Sequence, residues 1–305
     1  MDTQLSGIDL PGLWYDADAA SLRGQKLALR YARGRILGGI VAALGGAVSW
    51  SAGQFDVAVL LIFLGFLVAL ASELASWVQQ PEHSWYGGRA VAESTKTLAW
   101  RYAVGGQPFP VTMPDDMARE LLRSGLEEVL RETSEYMIPR SEHAVVTPAM
   151  EQLRQQPFDV RREAYVRGRT EDQRRWYTAK AEENRRRSQA WRLLLVLAEV
   201  TALVLAFLRV FVGWPWDFAG VLGATVAGGA AWVAVKQFAP LASAYSTAAK
   251  ELLFQVDRLG RVPEEQWAAA VANVEGAISR EHTLWTASRT GRTFFEWGNK
   301  GIDGE

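Results

Sequence analysis

Apolar and charged residues are sharply segregated along this chain. One apolar block covers residues 36–78 and is interrupted by "SAGQFD" at 51–56. A second covers 193–235 and is interrupted by "GWPWD" at 213–217. A bilayer core about 30 Å thick needs roughly 20 apolar residues as helix, and each block is about twice that length. Each therefore predicts a helical hairpin, with spans at 36–51 and 57–78, then at 193–212 and 218–235. The alternative is a pair of hairpins buried in a soluble core. The stretch "FDVAVLLIFLGFLVALA" argues against it, because it is apolar on every side and offers no polar face. The expected fold class is an all-α integral membrane protein with two transmembrane hairpins, four spans in all, and long cytoplasmic helical extensions.

Each interruption holds one aspartate, Asp56 and Asp217, 161 positions apart. That offset aligns both hairpins, so the chain reads as two copies of one two-helix module inserted the same way round. Gly53, Gly213 and Pro215 favour the turns, and Trp50, Trp214 and Trp216 suit a membrane interface. Neither turn carries Lys or Arg. Arg23, Lys26, Arg30, Arg33 and Arg35 precede the first hairpin; Arg185, Arg186, Arg187 and Arg192 precede the second, and Lys236 closes it. The positive-inside rule places both termini and the middle segment in the cytoplasm, with both turns outside.

The remaining segments predict helices. "SLRGQKLALRYARGR" runs without proline into the first span. Thr170 and Gln173 stand at capping-box spacing ahead of the third. A helix is expected over 89–103, another from Pro114 and Asp115, and a last one from Pro263, while Pro240 should break or kink the fourth span. Residues 107–114 and 139–157 are linker-like. The expected modules are 1–138 and 158–290, joined by a linker at 139–157 and followed by a tail at 291–305. Between Arg161 and Arg192 eleven basic residues face five acidic ones. This is a solvated face and topology signal, or a surface for anionic headgroups or an acidic ligand.

Composition then removes several classes of function. There is no cysteine, so no disulfide and no thiolate metal site. The three histidines, His83, His143 and His282, are far apart, and "DAD" at 16–18 reads better as helix capping than as a metal pair. No phosphate loop, nucleophile elbow or dinucleotide fingerprint is present. An enzyme, a cofactor, a metal and a nucleic-acid partner are all unexpected. The first apolar run starts too late and is too long for a cleavable signal peptide.

Ionisable groups within the spans are more informative. Glu73, Glu199 and Arg209 fall in apolar helices, where charges are costly and usually face a cavity, a partner or an interface. Glu73 and Glu199 are candidate pore or interhelical residues. Asp56 and Asp217 either cap the helices that follow them or form an acidic vestibule favouring cations. Gly39/Ala43, Ala42/Gly46 and Ala224/Gly228 have the spacing that lets membrane helices approach closely.

"WYGGRAVAESTKTLAWRYAVGGQPF" at 85–109, with "LWYDADAASLRGQ" upstream, resembles the SLATT family, the SMODS- and SLOG-associating two-transmembrane effector domain. Arg89, Ala90, Ala92, Glu93, Ser94, Lys96, Thr97, Trp100, Arg101 and Tyr102 carry the match. In the second half Gln173, Trp176, Tyr177, Lys180 and Ala181, then Ile278, Glu281, Trp285 and Arg289, are similar to a second SLATT subtype. The resemblance implies a bacterial membrane effector of conflict systems, forming pores after infection, downstream of a sensor protein or a nucleotide signal. No attached sensor domain is visible, so the trigger stays open. Arg89, Glu93, Lys96 and Trp100 recur at spacings of three and four on one helix face. With Arg101 they are candidates for a gate, a subunit contact, or a network holding this helix in place.

The expected function is a homo-oligomeric, regulated pore, since four spans with few polar residues cannot line a wet channel alone. The rival is a non-conducting membrane scaffold that binds partners through its cytoplasmic helices.

Overall fold

The structure, a computed structural model, describes residues 10–47, 51–52, 55–133, 144–213 and 218–290, with side chains described except at 51–52, 55, 132–133 and 280–290. Its elements are α1 (Gly12–Ala47), the two-residue antiparallel pair β1 (Ser51–Ala52) and β2 (Phe55–Asp56), α2 (Val57–Gln79), α3 (Pro81–Val104), α4 (Asp115–Thr133), α5 (Pro148–Arg154), α6 (Phe158–Tyr165), α7 (Asp172–Val212), α8 (Phe218–Lys236), α9 (Phe238–Leu259) and α10 (Glu264–Thr290). A π-helical turn, Val166–Glu171, joins α6 to α7. Among the described residues every regular element except that one pair is thus helical.

Local chemistry sets the boundaries. Asp56 caps α2 by accepting from the backbone N–H groups of Ala58 and Val59 at 3.0 and 3.3 Å. Gln80 adopts a left-handed conformation (φ 42°) that closes α2, and Pro81 opens α3. Gln237 (φ 51°) separates α8 from α9 in the same way. Pro240 was expected to make that break, but it lies in the first turn of α9, where no backbone donor is needed. The expected capping box is also absent. Thr170 lies inside the π turn, where its hydroxyl donates to the Tyr165 carbonyl at 3.4 Å.

Helices α2, α6–α7 and α8–α9 are long and apolar enough to cross a membrane, over Val57–Gln79, Phe158–Val212 and Phe218–Leu259. Three of the four expected spans meet this measure. Helix α1 contributes the apolar stretch 36–47, shorter than roughly 20 residues.

The chain divides into two compact units, and each of the two sequence halves contributes to both. The first unit takes in the chain as far as Gly24, then Glu82–Lys180, then Ala244 onward. Its core is built on large side chains that are fully buried, among them Trp100, Tyr102, Phe109, Leu122, Tyr165 and Trp267. Helix α5 lies in the stretch 139–157 expected as a linker, yet Met150, Leu153 and Arg154 are buried in this core. The Arg154 guanidinium donates to the carbonyls of Tyr102, Phe109 and Pro110, so the segment is fixed by hydrogen bonds the sequence pattern does not reveal.

The second unit comprises Gln25–Pro81 and Ala181–Ser243. Its packing is inverted. Small residues such as Ala32, Ala42, Ala58 and Gly65 are buried, whereas Phe63, Phe66, Leu203 and Phe211 are 62–73% exposed. Burying large apolar groups drives folding in water. In lipid that force is absent between helices, and close packing of small residues replaces it.

Candidate functional site

In the membrane unit, α1 and α2 are joined by a row of glycines. A Cβ on Gly38 would meet the Gly65 carbonyl at 2.6 Å, and one on Gly65 would meet the Ala42 amide at 2.5 Å. Gly45 lies as close to the Ala58 carbonyl, and Gly34 abuts the Ser72 hydroxyl. The contact row thus falls on Gly34, Gly38, Ala42 and Gly45. Gly39 and Gly46 have open space around them, and Ala43 is half-buried. A Cβ on Gly228 would meet Ile36 and Ile40 of α1 at 3.0 Å; Ala224, one turn earlier on α8, is half-buried.

The ionisable candidates separate. Glu73 pairs with Arg35 at 2.8 Å, with both side chains substantially exposed. Tyr31 donates to Gln79 at 2.8 Å on the same two helices. Trp232 receives the cations of Arg33 and Lys236 on its ring, at 5.1 and 5.8 Å. Glu199 is exposed in the middle of the apolar part of α7, beside exposed Leu197, Val200 and Leu203. Asp56 is engaged as the cap of α2. Asp217 lies outside the described residues.

The first unit holds a charged network on α3. Arg89 pairs with Glu93 at 2.8 Å, one helical turn apart. Trp100 points into the core and meets Tyr165 edge-on at 5.9 Å. Arg101 is buried and donates to the Ala272 carbonyl at 3.2 Å. Thr97, on the same face, reaches a residue that sequence reasoning missed, Glu275 of α10.

Glu275 is fully buried and accepts four hydrogen bonds. Tyr165 Oη and Arg169 Nε donate to its Oε1, both at 2.9 Å; Arg169 Nη2 and Thr97 Oγ1 donate to its Oε2 at 2.8 and 2.9 Å. Burial alone would raise the Glu275 carboxyl pKa. The Arg169 guanidinium and these donors outweigh burial and hold it below its ordinary value. For Arg169 burial acts downward, and the Glu275 carboxylate more than reverses it. Burial and the neighbouring carboxylate push the Tyr165 phenol well up, so it stays a donor. Arg169 occupies the π turn, whose extra residue per turn lets an arginine enter the core from a helix that is otherwise regular. The available sequence signal was one acid in the otherwise apolar run "AAAVANVEGAIS" of α10. The π turn itself has no sequence signature.

The network crosses between the halves of the sequence. Thr97 and Arg101 come from the first, Arg169 and Glu275 from the second. Trp267 Nε1 donating to the Val104 carbonyl at 2.8 Å, and Arg161 donating to Glu264 at 2.9 Å, make further joints in the same unit. Among the described residues no cluster of acids and histidines could hold a metal.

A family model for the SMODS and SLOG-associating 2TM effector domain 3 matches residues 11–162, and one for domain 1 of the same series matches residues 165–285. No curated protein and no solved structure matches the chain.

Proposed function

The chain belongs to the SLATT family, as two fused SLATT-like modules, and from that membership we propose an oligomeric membrane effector acting as a regulated ion-conducting pore. SLATT effector domains are associated with conflict and anti-phage systems and with membrane effectors. The proposal adds conduction, self-assembly in the bacterial inner membrane, four spans with cytoplasmic termini, and a sensor protein or nucleotide signal as trigger.

One observation carries the pore reading. Glu199 is an exposed carboxylate in the middle of an apolar helix long enough to cross a bilayer. Hydrocarbon is a costly neighbour for such a group, by roughly 2.5–3.5 kcal/mol or more. A second copy of the chain or a water-filled passage is not. The exposed Arg35–Glu73 pair supports the same reading. Acids at the mouths of both hairpins, Asp56 and Asp217, would bias such a passage towards cations.

The test is ion flux through the purified protein in liposomes under an imposed cation gradient. Flux with cation preference is expected, reduced by Glu199→Gln and made less selective by Asp56→Asn with Asp217→Asn. A chain that inserts yet carries no current with any candidate trigger is a scaffold instead.

A further inference from the structure

Two arginines of α1 face different helices. Arg35 turns to α2 and pairs with Glu73. Arg33, two positions earlier, turns to α8 and meets only a ring: its Cζ lies 5.1 Å from the centre of Trp232, and Lys236 Nζ lies 5.8 Å from the same centre. Lys236 ends α8, and Arg33 immediately precedes the apolar stretch 36–47 of α1, so the two cations share one indole where the apolar parts of both helices stop. An indole attracts a cation but carries no charge to answer it. Neither helix supplies that charge nearby, since no acid occurs between 19 and 55 or between 218 and 250.

The outer face of α1 extends the pattern. Lys26, Arg30 and Arg33 recur at steps of four and three residues, all exposed. None of them forms an ion pair among the described residues. Leu37 and Leu44, also exposed, continue this face one and three turns beyond Arg33. The face is therefore cationic on one side of the boundary and apolar on the other. The basic run of α7 differs. Arg174, Arg186 and Arg187 each pair with an acid three or four positions earlier, so much of its charge is answered within the helix.

A soluble anion or an acidic protein segment complements the cations alone. A phospholipid complements both parts of the face, with a phosphodiester at the cations and acyl chains along the leucines. The headgroup layer is roughly 5–8 Å deep, and at about 1.5 Å per residue Arg30 and Arg33 both fall within it. We propose that the corner of α1 and α8 at Arg33, Trp232 and Lys236 seats the headgroup of an anionic phospholipid. The seat requires this unit to lie in a bilayer; it does not require the protein to conduct.

The full chain, purified in detergent, is offered equal amounts of phosphatidylglycerol and phosphatidylcholine, and the lipid that stays bound is counted by native mass spectrometry. Phosphatidylglycerol should be retained in preference by roughly tenfold or more. Arg33→Gln with Lys236→Gln should abolish the preference. Arg186→Gln with Arg187→Gln, an equal loss of charge, should keep it. If the first pair does not fold, Arg33→Gln alone takes its place and should weaken the preference by roughly fivefold. Equal retention of the two lipids by the parent, or an equal loss in both paired variants, overturns the proposal. Displacement of phosphatidylglycerol by inorganic phosphate, but not by sodium chloride at the same ionic strength, also overturns it and marks a site for a soluble anion. No flux is measured, so failure here leaves the pore reading standing.

Discussion

Replacing Glu275 by Gln keeps the shape of the side chain and removes only its charge. The amide can still accept at one oxygen, but its NH2 group faces one N–H of Arg169 and one hydroxyl, that of Tyr165 in one orientation and that of Thr97 in the other. Of four accepted hydrogen bonds at 2.8–2.9 Å, no orientation retains more than two. More costly is Arg169, left as a buried cation without a counter-charge. Breaking a buried pair from one side costs about 3–5 kcal/mol. For a unit of this size that lowers Tm on the order of 10 °C. Hydrogen exchange should speed up first in α3, α10 and the π turn, which the network joins. The double variant Glu275→Leu with Arg169→Met should recover most of the loss, because two apolar groups leave neither partner stranded. A Glu275→Gln protein within about 1 kcal/mol of the parent, or a double variant no better than the single, would refute the claim that the pair holds this unit together.

Other consequences follow from single contacts. The Glu275 carboxyl titrates below its ordinary value of 4.5 in the folded protein, so its contribution is fully present above that pH. It is lost as pH falls through the lower folded value; acid unfolding monitored by tryptophan fluorescence should shift to higher pH in a Thr97→Val variant. Gly65→Ala must push α1 and α2 apart, because its Cβ would meet the Ala42 amide at 2.5 Å and the Gly38 carbonyl at 2.6 Å; a loss of about 1–3 kcal/mol in detergent unfolding is expected. Gly39→Ala, with open space around it, should leave the isolated chain unchanged, so any loss of cross-linked oligomer in that variant locates a subunit contact. Asp56→Ala should cost about 1 kcal/mol as a lost cap, whereas Asp56→Asn should cost almost nothing, since both side chains cap well; this separates capping from any effect on ion preference.

The membrane helices were legible because their signal is local. An all-apolar run of bilayer length needs no partner to be recognised, and an aspartate with the right spacing before it becomes an N-cap. The α3 helix, the start of α4 at Asp115 and the family motifs on α3 were readable for the same reason. Local rules failed where a distant contact decides the outcome. Residues 144–157 look like a linker until Arg154 is seen bonded to three carbonyls of a segment more than forty positions away. Thr170 looks like a cap until the helix continues through it as a π turn.

The sequence by itself therefore determined the class: helices of membrane length, a repeated two-helix plan and a charged face on α3, all consequences of periodicity and of the cost of leaving polar groups in hydrocarbon. The tertiary structure decided which glycines touch, Gly38 and Gly45 rather than their neighbours, since a rotation of one residue about a helix axis is invisible in small-residue spacing. It also decided that Glu275, 178 positions from Thr97, completes the network begun on α3. A buried charge takes its meaning from the partners that replace its water, and those partners are brought together only by the fold.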